Sequence, residues 1–100
     1  MNYDEQLMDS VDLKYPHYLI KDLGVLKAHQ AMVLQQMMKP VKGQRSDYRV
    51  YTENNGELYE IGSIFRSSVK PMIDLVGVDN LELHYSKSKT YTGDMLYILG

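Results

Sequence analysis

The chain has 100 residues, enough for one domain with a modest core and little to spare. It contains no cysteine, which removes disulfides, thiolate chemistry and any zinc site built on cysteine. Its hydrophobic content of 44% is that of a globular chain, and its net charge of −2 gives no strong bias toward nucleic acid.

The charge is unevenly spread. Asp4, Glu5, Asp9 and Asp12 put four negative charges and no positive ones into the first twelve residues. Taking these four from the thirteen acidic residues leaves nine against all eleven basic ones in residues 13–100. The expected organisation is therefore an acidic N-terminal arm over residues 1–14 and one domain over residues 15–100. The arm reads as a loose segment or a short helix, and the pattern does not choose. Nothing in it resembles the basic start and apolar run of a signal peptide. No apolar stretch approaches the roughly 18 residues of a membrane span. A cytoplasmic protein is the expectation.

At Tyr15-Pro16 the backbone is reset, because the residue before proline is biased away from helix. A short helical turn is read at residues 19–23, ended by Gly24. Residues 25–38 carry the clearest helical periodicity. Leu26, Val33, Met37 and Val41 recur at spacings of seven and four, with Leu34 and Met38 widening the stripe. Pro40 and Gly43 end that helix. The methionines within it, Met32, Met37 and Met38, read as adaptable core filler and not as ligands.

Tyr48-Arg49-Val50-Tyr51-Thr52 has the composition of a strand. Residues 54–61 admit two readings. Asn54-Asn55-Gly56 can close a hairpin with residues 58–61 returning. Alternatively, Asn54 caps a short helix and Glu57 completes a capping box; this helix is the favoured reading. A further helix starts at Ser67 or Ser68, carries Val69, Met72, Ile73 and Val76 at helical spacing, and ends at Gly77. Residues 81–85 and 95–99 read as strands joined by a polar, basic loop. The order helix, strand, short helix, helix, strand, loop, strand is that of an α+β winged helix-turn-helix.

Leu19-Ile20-Lys21-Asp22-Leu23-Gly24-Val25, followed by Ala28, Ala31 and Val33-Leu34-Gln35-Gln36, resembles a stretch of a known family. That family is the winged-helix N-terminal domain of replication initiation proteins (replisome organisers) of phages and plasmids from Gram-positive bacteria. The likeness continues through Val50-Tyr51, Phe65-Arg66-Ser67-Ser68-Val69-Lys70 and Leu96-Tyr97-Ile98, and covers about residues 15–99. It departs from the family at Met37-Met38-Lys39, where aromatics are usual, and at Pro71, where a basic residue is common. The resemblance implies a winged helix that acts on DNA in replication.

In a helix-turn-helix the second helix presents its N-terminal residues to base edges. Those residues here are Arg66, Ser67, Ser68 and Lys70. Arg66 suits a bidentate contact to guanine. Ser67 or Ser68 suits a phosphate, or serves only as a helix cap. Lys87, Ser88, Lys89 and Tyr91 fall on the expected wing. Lys42, Arg45 and Arg49, close to Lys39 and opposed only by Asp47, form a second basic group, either a phosphate contact or a solvated loop.

Catalysis finds little support. His17, His29 and His84 show no metal-ligand spacing, and no nucleophile elbow, phosphate loop or paired-carboxylate cleft is recognisable. No enzyme activity, metal or cofactor is expected. Nine tyrosines against one phenylalanine and no tryptophan suit half-buried and interfacial positions. The expected function is double-stranded DNA binding in phage or plasmid replication or in transcriptional control, as a homodimer on two half-sites. The alternative is a protein-interaction module that binds a host or replication protein.

Overall fold

A computed structural model describes residues 16–42, 46–86 and 89–99. The expected acidic arm, Arg45, Lys87 and Ser88 lie outside the described residues.

Strand β1 (His17–Ile20) is the centre of a five-stranded sheet. It pairs in parallel with β2 (Tyr48–Asn54) and antiparallel with β4 (Leu81–Ser86). The edges are β3 (Glu57–Ile64), which returns antiparallel to β2, and the short β5 (Lys89–Tyr91), which returns antiparallel to β4. The order across the sheet is β3-β2-β1-β4-β5. Two parallel neighbours need a crossover, and α1 (Ala28–Met37), entered through a 3₁₀ turn at Leu23–Val25, supplies it. Helix α2 (Val69–Val76) links β3 to β4, and α3 (Met95–Leu99) closes the described chain.

One face of the sheet carries the core. Tyr18 and Ile20 of β1, Val50 of β2, Ile64 of β3 and Leu81 and Leu83 of β4 are fully buried there. Helix α2 lays Val69, Met72, Ile73 and Val76 onto them at helical spacing. Helix α1 buries only Leu34, and α3 buries Leu96. The long periodic stretch therefore forms the looser helix, while the short α2 holds the core. Gly77, with φ of 96°, ends α2 in a backbone region costly for other residues.

This is not a winged helix. Its five-stranded sheet and its element order both differ from the expected order of a helix-turn-helix followed by a wing. Residues 19–20 belong to a strand, because β1 is paired on both edges, with β2 and β4, and all four of its residues are buried. Residues 54–61 take the hairpin reading. Asn55 has φ of 52° and Gly56 of 81°, the positive values that a two-residue Asn-Gly turn needs, and Asn54 pairs with Glu57. The apparent capping box is thus a turn followed by an edge strand. Residues 95–99 form a helix, started by Leu96 N–H donating to the Gly93 carbonyl, and residues 89–91 take the strand position instead. Helix α2 matches its expected span closely and packs on the sheet through four buried residues, but it follows an edge strand and not the preceding helix of a helix-turn-helix. Among the described residues no helix is long and apolar enough to cross a membrane.

Candidate nucleic-acid interface at one end of the sheet

The strand registers define two ends of the sheet with opposite character. His17 pairs with Arg49 and His84, Tyr48 with Ile64, and Ser86 with Lys89. One end therefore collects the starts of β1, β2 and β5 and the finishes of β3 and β4. The first turn of α2 and the residues after α1 arrive at the same end.

Backbone contacts bring separate basic segments together there. Lys39 N–H donates to the Ser63 carbonyl at 2.7 Å, and Ser63 N–H returns a bond to the Lys39 carbonyl at 3.1 Å. Gly62 permits this approach, since a Cβ on it would stand 2.8 Å from the Lys39 oxygen. The segment before β2 is tied to the same place. Ser46 N–H donates to Ser63 Oγ, and Arg66 N–H donates to Asp47 Oδ2, both at 2.9 Å. Lys39 Nζ lies 5.1 Å from the centroid of the Phe65 ring, which is 49% exposed. Lys42, Arg66, Ser67 and Lys70 are exposed around this core of contacts, and Lys89 is exposed where β5 begins.

Of the residues singled out by sequence, Arg66, Ser67, Ser68 and Lys70 thus share an end of the molecule with Lys42 and Lys89. Arg49 does not join them. It lies between the core-facing Tyr48 and Val50, so its side chain is on the opposite face of the sheet, beside His17, where it is half-buried and has partners. Tyr91 is half-buried and packs edge-on against Tyr85 at 5.8 Å, which makes it mainly a packing residue.

Beneath the cationic surface sits a group of phenols. Tyr18 meets Tyr48 edge-on at 5.3 Å, and its hydroxyl is buried with no hydrogen-bond partner. Burial raises the Tyr18 phenol far above its usual range, with Tyr48 and Tyr85 adding to the effect and Arg66 opposing it. Tyr48 is also raised, first by burial and then by Tyr85. Both phenols stay neutral near pH 7 and add no negative charge beneath the surface.

The opposite end is acidic. Asp22, Glu53, Asn54 and Tyr59 border an open cleft of about 410 Å³. Asp22 is fixed by its Oδ1 accepting from Gly24 N–H and by reciprocal bonds with Asn80, and Tyr59 donates to Glu57 Oε2 at 2.6 Å. The face of the sheet away from the helices holds one contact that sequence spacing did not reveal. His17 and His84 stack at 5.2 Å, and His84 reaches Glu82 and Thr90 through its two ring nitrogens. No group of three or more metal-ligating side chains is found among the described residues.

Phe65 and Lys39 are the members of the cationic surface missed as site residues. A signal existed: the only phenylalanine in the chain stands directly before Arg66. Comparison with protein-family models, with curated proteins and with solved structures yields no match to this chain.

Proposed function

We propose that the chain binds DNA through the cationic end of its sheet, with Lys39, Lys42, Arg66, Lys70 and Lys89 contacting backbone phosphates. One observation carries this reading. Basic residues from two separate segments, Lys39 with Lys42 and Arg66 with Lys70, are held together at one end, with Lys89 at the same end of the opposite sheet edge, and Asp47 between them has its carboxylate already engaged by Arg66 N–H. The acidic residues Asp22, Glu53 and Glu57 are gathered at the other end. Strand β3 has eight residues, so the ends are roughly 25 Å apart. That exceeds the Debye length of about 8 Å at physiological ionic strength, so the acidic end does little to repel a polyanion bound at the basic one. The total charge of −2 is a weak guide to binding for this reason.

Anisotropy titration of a labelled random-sequence duplex over a range of salt tests the reading. Five phosphate contacts predict a log–log salt slope of roughly −4.5, or about a five-hundred-fold loss of affinity between about 50 and 200 mM salt. Arg66→Glu combined with Lys70→Glu should abolish binding, whereas Lys27→Glu, remote from this end, should leave it unchanged. Absence of binding at low salt, or equal behaviour of the two variants, overturns it.

A protein-interaction module is the second reading, favoured by the acidic cleft and by Tyr59, which is 47% exposed on its border. That reading predicts that Glu53→Lys, and not Arg66→Glu, abolishes capture of a basic partner protein.

A further inference from the structure

We infer that Phe65 is a stacking platform for an unpaired base, so that the DNA preferred by the cationic end is single-stranded. This rests on the DNA reading above and names the form of DNA that it takes.

The chain's single phenylalanine is half exposed, although the sheet beside it has a core that could have covered it. Its surroundings set it apart from a stray surface hydrophobe. Lys39 stands over the ring, Arg66 follows it, and Lys70 is one helical turn further on. The ring is also held on a fixed backbone. The Phe65 carbonyl accepts from Ser68 N–H at 2.9 Å, and the next amide is held by Asp47. An aromatic ring between cations has the composition of a single-strand binding surface, in which bases stack on rings while lysine and arginine follow the phosphates. Inside a duplex each base face is already covered by its neighbours, so a duplex can use the cations but not the ring. Tyr85, 37% accessible at the same end but three strands away, offers a second ring further along a bound strand.

The test compares an oligo(dT) of about 15 nucleotides with a duplex of equal length, using the full chain and the variants Phe65→Ala and Phe65→Trp. The wild-type chain should favour oligo(dT). Phe65→Ala should weaken oligo(dT) binding by roughly fivefold to a hundred-fold and leave duplex binding unchanged. Phe65→Trp should retain the affinity. Because the natural chain has no tryptophan, its emission reports on this position alone and should be quenched by oligo(dT). Circular dichroism checks that both variants fold, and the tryptophan readout stands even if the alanine variant does not. Binding of both DNAs with unchanged Phe65→Ala affinities, or with tryptophan emission that oligo(dT) does not alter, overturns the stacking platform and leaves the phosphate contacts standing. Failure of the wild-type chain to bind either DNA overturns both.

Discussion

A methyl group at position 62 would stand 3.0 Å from Met38 Cβ as well as 2.8 Å from the Lys39 carbonyl oxygen. Backbone cannot yield as a flexible side chain does, so Gly62→Ala should cost about 1–3 kcal/mol in urea denaturation. It should also weaken DNA binding, because the displaced segment carries Lys39. Tyr18 presents the opposite case. Its hydroxyl is buried without a partner, and an unsatisfied polar group is a standing cost. Tyr18→Phe should therefore leave stability unchanged or raise it by about 1 kcal/mol. The same phenol makes stability pH-dependent. With its folded pKa above the ordinary 10.0, its contribution is complete below that pH and is lost as pH rises further. Wild-type protein should lose stability progressively above pH 10, and Tyr18→Phe should lose less. None of these three effects is legible in the sequence. Each depends on what lies beside the residue in space and not along the chain.

Among the elements, α2 was legible because its buried face has a period to match, and β2 and β4 because their residues favour strands. The hairpin at residues 54–57 was only half legible. Asn54 and Glu57 satisfy the spacing of a capping box, and Asn55-Gly56 satisfies a two-residue turn; the ladder to β2 decides between them. Gly56→Val, at φ of 81°, should cost about 1–2 kcal/mol and lower the urea midpoint, a sensitivity that the helical reading would not predict at that site. The terminal element was misread because Met95-Leu96-Tyr97-Ile98-Leu99 is too short for its period to speak, and an isolated apolar run suits either state. In space, Leu96 is fully buried and Tyr97 donates to Asp74 of α2 at 2.7 Å, contacts that a helix makes possible. Leu96→Ala should cost about 2–5 kcal/mol, which thermal denaturation will show as a clear fall in midpoint.

At the scale of the molecule, the candidate site was legible in composition but not in place. The basic residues were visible, and so was their clustering into two groups. What joins those groups is the pairing of Lys39 with Ser63 and of Asp47 with Arg66, contacts between segments far apart in the chain. The winged-helix reading would have joined a recognition helix to a wing; the sheet instead gathers strand ends and a helix start. The position of β1 has a consequence for how this molecule comes into being. Its bond from Thr52 to the Ile20 carbonyl closes a separation of 32 residues, and its other neighbour, β4, lies further along still. By contrast, the β2–β3 and β4–β5 pairs are local hairpins, which form on a timescale of microseconds. The sheet should therefore assemble from its flanks inward, and the first of its five strands along the chain should be the last to find its place. Substitutions in β1 would then mainly hasten unfolding, while those in the Asn55-Gly56 turn would slow folding, a distinction that stopped-flow chevrons measure directly.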